Sequence, residues 1–310
     1  PQSCGSVCFS GKGEKNPSTF RDGNLMAQLL AGAPVAKKLE ERVKTLLAQM
    51  ERPPRLSLWY NSSFPEVASY VRSKKAKAEK LLIPVEEVDI AGCQNASEAL
   101  ELFQKTLASD KPDGVMVERP LGLGIQPEDV YEMLPPELDV EGLHPYHLGK
   151  LLAGKPEIIP PTPAAVMEIL DYYHIPLEGK RAVIVGRSLI VGRPLFLLLL
   201  ARHCTPTLCH TRTKNLEEIT RSAEILIVAV GSPHFLKGDW ISPDCVVVDV
   251  GINYVEGKLV GDVDAETVGP KAAYLTPVPG GVGPVTSLFA LFQFVQACTR
   301  RTASPHTLSR

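Results

Sequence analysis

The chain has 310 residues, of which 44% are hydrophobic and 22% charged, and its formal net charge is -2. That length supports one large domain or two ordinary ones around a sizeable core. A near-neutral charge without long runs of one sign excludes the basic surface typical of nucleic-acid-binding proteins, so a small-molecule partner is expected.

Cysteine usage and apolar segments limit the setting in which the protein works. The seven cysteines are scattered without CxxC pairs, which predicts reduced structural thiols and neither a disulfide framework nor a metal site. The apolar run "PLFLLLLA" is too short to cross a bilayer, and the opening "PQSCGSVCFSGKGEKN" lacks the apolar core of a secretory signal. We therefore expect a cytoplasmic protein, with organellar import and N-terminal processing left open.

The first half of the chain alternates between helical and strand-like patterns. Residues 1–24 are rich in Ser, Gly and Lys and are predicted to be a disordered lead. A helix is predicted from Leu29 onward, because Val35, Leu39 and Val43 fall on one face. Then come the strands "RLSLWY", "VEEVDI" and "DGVMV" and, between them, the helices "EVASYVRSKKAKAEKLL" and "NASEALELFQKTLAS", the second opened by an Asn cap. The alternation predicts parallel strands with helices packed on the sheet.

A connector rich in Pro, Gly and His, residues 135–163, precedes a second alternating series. Its strands are "RAVIVG", "PTLCH", "ILIVAVG" and "CVVVDVG", and its helices are "AAVMEILDYYHI", a segment from Pro194, and "KNLEEITRSA". A Pro/Gly loop then leads into a long apolar helix. The pattern predicts an α/β fold with a second parallel sheet.

The segment "VIVGRSLIVGRP" follows a predicted strand and opens a helix. Gly186 and Gly192, with Ser188 between them, permit a tight turn and a close approach of backbone to a phosphate at the helix N-terminus. The alternative is an ordinary strand-to-helix turn. The next strand ends in "CHTRT" instead of the acid that would bond a ribose 2′-hydroxyl. This favours NADP over NAD, unless Arg187 and Arg212 are merely solvated surface.

Two pairs of polar residues are candidates for chemistry. Tyr70 and Lys74 lie four residues apart on one predicted helix face. A ring there can stack on a flat heteroaromatic, and a desolvated ammonium can move a proton; the alternative is an amphipathic surface pair. Glu118 and Arg119 end the buried strand "GVMV". Because successive strand residues face opposite ways, we do not expect both to line a cleft.

Segments from about Leu30 to Cys298 carry a family resemblance. They include "YVRSKKAKAEK", "DGVMVERPL", "LDVEGLHPYHLGKL", "VVVDVGIN" and "GDVD", with "GRSLIVGRP" and "TPVPGGVGP" the most specific. Together they resemble the bifunctional methylenetetrahydrofolate dehydrogenase/methenyltetrahydrofolate cyclohydrolase family.

The resemblance implies two α/β domains flanking a cleft, the second with a Rossmann-type parallel sheet. A folate-binding catalytic domain would span residues 25–160, and the C-terminal helix, residues 285–300, would pack back on it. The NADP-binding domain would span residues 161–284, and residues 301–310 would form a tail. A homodimer is implied as well.

The resemblance also implies a reaction and its residues. The family oxidises 5,10-methylenetetrahydrofolate with NADP+ and hydrolyses the methenyl product to 10-formyltetrahydrofolate. By position, Lys74 would be the catalytic lysine and Tyr70 would stack on the folate. The other implied catalytic residues are Glu118 and Glu141. The implied substrate-binding residues are Tyr70, Val117, Glu118, Arg119, Glu141, Pro279, Gly280, Gly281, Val282 and Gly283. The implied cofactor-binding residues are Thr162, Gly186, Arg187, Ser188, Thr211 and Ile252.

This chain departs from the family pattern at the candidate site. The family usually reads "VQLPLP" where this chain reads "VERPLG", so Glu118 replaces a glutamine and Arg119 a leucine. Glu141 replaces the aspartate of the family's "DVDG". An ionised Glu118 beside Lys74 would hold the lysine protonated, which predicts a weakened cyclohydrolase and an intact dehydrogenase. The alternative is that Glu118 pairs with Arg119 or Arg72 and points away from the site.

Two other functions stay open from the sequence alone. A folate- or nucleotide-binding protein that has lost catalysis is disfavoured by the retained Tyr70 and Lys74. An unrelated two-domain NADP oxidoreductase, such as a shikimate-dehydrogenase-like enzyme, would share the gross architecture but is disfavoured by "TPVPGGVGP".

Overall fold

The computed structural model describes residues 27–303. The predicted disordered lead, residues 1–24, and the last part of the predicted tail, residues 304–310, lie outside the described residues. Within them the chain forms two parallel sheets with helices packed on them, and the α/β class expected from the alternating pattern is confirmed.

Helices and strands alternate along most of the chain. In chain order they are β1 (Gln28–Leu29), α1 (Gly32–Leu47), β2 (Leu56–Tyr60), α2 (Pro65–Lys80), β3 (Val85–Asp89), α3 (Ala96–Asp110), β4 (Gly114–Val117), α4 (Pro127–Met133), α5 (Pro145–Leu152), α6 (Pro161–Tyr172), β5 (Arg181–Val185), α7 (Gly192–Ala201), β6 (Thr205–Cys209), α8 (Leu216–Arg221), β7 (Ile225–Val228), β8 (Val246–Asp249), β9 (Asn253–Val255), β10 (Lys258–Val260), α9 (Ala265–Val268), β11 (Tyr274–Leu275) and α10 (Val282–Ala303).

The first sheet has three parallel strands in the order β3-β2-β4. Every residue of the central strand β2 is buried, as expected of a strand covered on both faces. The predicted cap of α3 is present, since the Asn95 side chain accepts the backbone N–H of Glu98 at 3.0 Å. Strand β4 is an edge strand of this buried sheet, and Glu118 follows its last residue, Val117.

The second sheet has six parallel strands in the order β1-β11-β8-β7-β5-β6. Strands β9 and β10 form a separate antiparallel hairpin. The central strands β5, β7 and β8 are almost completely buried, because helices pack on both faces. The carboxyl ends of β5 and β6 lie at one edge, where a dinucleotide site is expected in this topology.

The described chain begins in the second sheet, and its first helix begins later than the sequence pattern predicts. The sequence pattern predicts a helix from Leu29 onward. Instead, Gln28 and Leu29 pair with Tyr274 and Leu275, and α1 begins only at Gly32. A two-residue strand leaves no periodic pattern, so the sequence could not reveal it.

The terminal helix α10 joins the two halves. It packs on α1 and α6 and is three residues longer at each end than the predicted range 285–300. Its Gln293 side chain accepts the backbone N–H of Ile159 at 2.8 Å and donates to the carbonyl of Val140 at 3.0 Å. By length and composition this helix could cross a membrane, but 67% of its most apolar window is buried inside the protein. Its apolar character is therefore explained by its place in the core.

Candidate active site

A cavity of about 780 Å³ is lined by residues from both halves of the chain. The candidate residues that line it are Tyr70, Lys74, Glu118, Arg119, Glu141, Thr162 and Ile252. An adjoining cavity of about 230 Å³ is lined by the segment Pro279, Gly280, Gly281, Val282 and Gly283, together with Tyr70 and Ile252. Val117 lines neither cavity and lies buried behind Glu141. The structure thus brings together nearly all residues expected to be catalytic or substrate-binding.

Lys74 reaches the cavity from the buried face of α2. Its position continues the buried stripe formed by Val67, Val71 and Ala78, so the helix must carry the lysine inward. Its ammonium nitrogen lies 5.1 Å from the centre of the Tyr70 ring, one turn earlier. Burial of a lysine on an apolar helix face costs free energy unless its ammonium group is paired with an opposite charge, so Lys74 needs acidic partners.

Two carboxylates face the Lys74 ammonium. Glu118, the first residue after β4, forms a buried ion pair and hydrogen bond with it through Oε1. Glu141 Oε1 lies 3.8 Å from the same nitrogen. Within residues 27–303, Glu118 makes no ion pair with Arg119 or Arg72, so the side chain faces the cavity.

The ionisation of this cluster follows from burial and charge. Burial opposes the positive charge of Lys74, but the carboxylates of Glu118 and Glu141 outweigh it and raise the pKa of the lysine above its ordinary value. Burial raises the pKa of Glu118, while the Lys74 ammonium acts in the opposite direction. Lys74 is therefore held as an ammonium ion over the whole neutral range.

Glu141 is held by donors on its far side. Its Oε2 accepts the backbone N–H of Val117 at 2.7 Å and the hydroxyl of Tyr131 at 2.8 Å. Its backbone N–H donates to Asp139 at 2.8 Å, as does that of Gly142 at 3.0 Å. Sequence reasoning missed Tyr131 and Asp139. Asp139 could have been noticed as a turn-forming Asp in "DVEG", whereas nothing in the pattern around Tyr131 indicated its role.

Arg119 takes a different environment from its neighbour. Its side chain is half-buried at the cavity, and the guanidinium carbon lies 6.0 Å from the centre of the Tyr131 ring. Within residues 27–303 no carboxylate lies at ion-pair distance from it. Glu118 and Arg119 both line the cavity, contrary to the expectation from strand alternation, because β4 ends at Val117 and the chain no longer alternates beyond it.

The turn after β5 has the geometry expected of a phosphate-binding turn. Gly186 has a φ of +123°, and a Cβ there would lie 2.1 Å from the carbonyl oxygen of Ala229. A Cβ on Gly192 would lie 1.9 Å from the carbonyl oxygen of Gly186. Ser188 Oγ accepts the backbone N–H of Val191 at 3.2 Å, just before α7 begins. Both glycines are required for the turn to close over the helix N-terminus.

Candidate side chains for the cofactor surround this turn. Arg187 and Ser188 are exposed after β5, and Thr211 and Arg212 are exposed after the neighbouring strand β6. The end of β6 offers an arginine and hydroxyl groups and no carboxylate, as a 2′-phosphate requires. The residues present therefore fit NADP.

Two buried aspartates hold in place the segment that contains Ile252, a residue that lines the cavity. Asp249 accepts the backbone N–H groups of Gly251 and Val263, each at 2.9 Å, and Asp262 accepts the Asn253 side-chain amide at 2.8 Å. Burial raises the pKa of Asp249 to about 6, although the backbone donors oppose the shift. Sequence reasoning missed their function as internal acceptors.

Comparison with known proteins matches both halves of the chain to one family. The tetrahydrofolate dehydrogenase/cyclohydrolase catalytic domain matches residues 30–141, and the NAD(P)-binding domain of the same family matches residues 160–302. The chain belongs to this family. The resemblance inferred from the sequence motifs is confirmed, and the unrelated oxidoreductase is not favoured.

Individual members of the tetrahydrofolate dehydrogenase/cyclohydrolase family resemble the chain over nearly its whole length. The bifunctional protein FolD of Dictyoglomus thermophilum is 41% identical over 285 residues, which cover 90% of this chain and 99% of the relative. The crystal structure of the FolD dehydrogenase/cyclohydrolase of Campylobacter jejuni superposes with a TM-score of 0.83 at 37% identity, covering 89% of this chain and 99% of that one. The Trypanosoma brucei enzyme, complexed with NADP and an inhibitor, superposes with a TM-score of 0.81 at 31% identity, covering 89% and 98%.

Proposed function

We propose that this protein oxidises 5,10-methylenetetrahydrofolate to 5,10-methenyltetrahydrofolate with NADP+, and that it hydrolyses the product to 10-formyltetrahydrofolate slowly. The observation that supports slow hydrolysis is the buried ion pair between Lys74 and Glu118. Family membership supports both reactions, and the ion pair bears on their balance.

We propose a role for each of the site residues. Tyr70 stacks on the folate, Lys74 directs its chemistry, and Glu141 and Glu118 contact the pterin side of the substrate. The segment Pro279, Gly280, Gly281, Val282 and Gly283 lines the rest of the folate site, with Val117 supporting it and Arg119 at its edge. Gly186, Arg187, Ser188, Thr211, Thr162 and Ile252 bind the cofactor. In support, the folate residues other than Val117 line two adjoining cavities, and the cofactor residues lie at the carboxyl ends of the second sheet or at the cavity itself.

The oxidation step depends mainly on holding the folate and the cofactor in the correct relative position. The methylene carbon loses a hydride, and the lone pairs of the two flanking folate nitrogens stabilise the amidinium cation that results. When bound, NADP+ supplies the hydride acceptor. The carboxylates of Glu118 and Glu141 favour a developing positive charge near Lys74, because opposite charges attract strongly in a buried site. The dehydrogenase step is therefore compatible with the altered cluster.

Hydrolysis requires proton transfers, and the ion pair of Lys74 with Glu118 makes the lysine a poor proton acceptor. Water must add to the amidinium carbon and release a proton. The hydroxyl then loses its proton to form the formyl C=O as the bond from that carbon to N5 breaks, and N5 takes up that proton. A neutral lysine amine could assist the attacking water, but Glu118 and Glu141 keep Lys74 protonated. Each pKa unit costs about 1.4 kcal/mol against the neutral amine. We therefore infer that the cyclohydrolase is the weaker activity.

The domain division and the assembly also belong to this proposal. We place the folate-binding domain in residues 30–160 with α10 packed on it, and the NADP-binding domain in residues 161–281 with β1 added to its sheet. The matched family ranges and the helix packing support this division. A cytoplasmic homodimer is the expected form, and light scattering of the purified protein tests its mass.

The deciding experiment follows both products in one reaction. The purified protein is mixed with 5,10-methylenetetrahydrofolate and NADP+, and then with NAD+, while reduced cofactor, methenyl intermediate and 10-formyl product are measured together. Reduced cofactor with lasting methenyl accumulation is the expected result. Formyl product that keeps pace with NADPH would contradict the weakened hydrolysis. The absence of any reduced cofactor would favour a binding protein without catalysis.

A further inference from the structure

Tyr131 lies behind the cavity wall and not in it. Its side chain is 2% exposed, and it belongs to the short helix α4. It does not line the cavity that contains Lys74 and Glu118. A buried tyrosine hydroxyl needs a hydrogen-bond partner, and here the partner is the carboxylate of Glu141 at 2.8 Å.

The two oxygens of Glu141 have different surroundings. Oε2 accepts from Tyr131 and from the backbone N–H of Val117, whereas Oε1 is the oxygen that lies 3.8 Å from Lys74. A glutamate has one more rotatable bond than the aspartate usual in the family, so its carboxylate needs more restraint to keep one direction. The Tyr131 hydroxyl is the one side-chain donor to Oε2 among the described residues.

We propose that Tyr131 is a positioning residue, whose hydroxyl aims the Glu141 carboxylate at Lys74 and at the folate. This rests on the proposed function, because the contact of Glu141 with folate is part of it. Tyr131 does not line the cavity, so the effect of its hydroxyl passes through Glu141.

The geometry lets the hydroxyl be tested separately from the ring. The Arg119 guanidinium carbon lies 6.0 Å from the centre of the Tyr131 ring, so the ring also contributes to the site. Tyr131→Phe keeps the ring and removes only the donor to Glu141. Glu141→Asp shortens the arm by one methylene, which takes the carboxylate out of reach of the hydroxyl.

The test is a double-mutant cycle of Tyr131→Phe and Glu141→Asp, with steady-state kinetics for both substrates. Alone, Tyr131→Phe is expected to raise KM for 5,10-methylenetetrahydrofolate about tenfold, as for loss of a hydrogen bond to a charged group, with KM for NADP+ unchanged. In the Glu141→Asp background the same change is expected to add less than about twofold. Tyr146→Phe is the matched control, because it removes the hydroxyl of an exposed tyrosine that contacts Glu157, and neither residue lines the cavity.

The possible outcomes separate this proposal from the proposed function. An unchanged folate KM in Tyr131→Phe, or the same increase in both backgrounds, would overturn the role assigned to Tyr131. A wild-type protein without dehydrogenase activity would overturn the proposed function instead. In that case the cycle is repeated with calorimetric binding of tetrahydrofolate, where the same Glu141-dependent loss is expected and its absence overturns the proposal. If Tyr131→Phe does not fold, Tyr131→Met must show the dependence on Glu141.

Discussion

The folate-side cluster, formed by Lys74, Glu118 and Glu141, consists of buried charged side chains. The cofactor turn, residues 186–192, depends on closely packed backbone instead. Lys74 and Glu118 are charged side chains that are only 5% and 7% exposed. The cofactor turn depends on backbone that approaches backbone, with Arg187, Ser188 and Thr211 exposed around it. In the first region a change of charge has large consequences, because low dielectric leaves it unscreened. In the second region the glycine Cβ positions matter most, and exposed charges matter little.

The largest expected effect tests the charged cluster. Lys74→Met leaves Glu118 and Glu141 buried without their cation, so we expect the cyclohydrolase rate to fall about a thousandfold. The free energy of unfolding should also fall by about 3–5 kcal/mol, because one partner of a buried pair is gone. Stopped-flow hydrolysis of methenyltetrahydrofolate and chemical denaturation measure the two effects.

The matched control for that change is the next residue along the helix. Lys75→Met removes a partly exposed ion pair with Glu87, and both quantities should stay close to wild type. Equal losses in the two variants would show that burial of the charge is not what matters.

The second prediction tests the backbone turn. Gly192→Ala places a Cβ 1.9 Å from the carbonyl oxygen of Gly186, which cannot move without opening the turn. We expect NADP+ affinity to fall about tenfold to hundredfold, while tetrahydrofolate affinity is kept. Calorimetry with each ligand measures both. Gly149→Ala is the control, because apart from the adjacent residues and the backbone of its own helix no atom lies within 4 Å of its Cβ position.

The third prediction concerns the partner of the lysine. Glu118→Gln removes one of the two carboxylates that keep Lys74 protonated, so the cyclohydrolase rate should rise about tenfold for each pKa unit lost. The dehydrogenase rate should change less, since oxidation depends mainly on positioning. An unchanged hydrolytic rate in this variant would show that the ion pair does not limit hydrolysis.

The pH dependence of the hydrolytic rate also tests the ion pair of Lys74 with Glu118. Because neighbouring carboxylates raise the pKa of Lys74, the neutral amine is scarce at neutral pH and becomes more abundant as pH rises. The hydrolytic rate of the wild type should therefore increase through the alkaline range without a plateau. In Glu118→Gln the plateau should be reached at lower pH. A wild-type plateau near neutral pH would contradict this sign.

The smallest effect is expected at an exposed charge. Arg187→Ala should lower the preference for NADP+ over NAD+ about threefold to fivefold, as for a solvent-screened contact with a phosphate. The ratio of kcat/KM for the two cofactors measures it. Arg181→Ala, at the opposite end of the same strand, should leave the ratio unchanged.

How far the sequence could predict these regions depends on how local their causes are. The helix that carries Tyr70 and Lys74 and the turn at Gly186 both have local patterns, and the sequence predicts both. The contact between Tyr131 and Glu141 joins α4 to a residue ten positions further along the chain, beyond the end of that helix. No periodic pattern records such a contact. The inward direction of Glu118 follows from the family resemblance and not from strand alternation.

The crossing of the chain between the two halves has a consequence for folding. The first described strand belongs to the second sheet, and the last helix, α10, returns to pack on α1. No single cleavage of the backbone could therefore release either half with all of its parts. We expect the protein to melt in one cooperative transition, and NADP+ should protect the folate-binding half from proteolysis although it binds elsewhere.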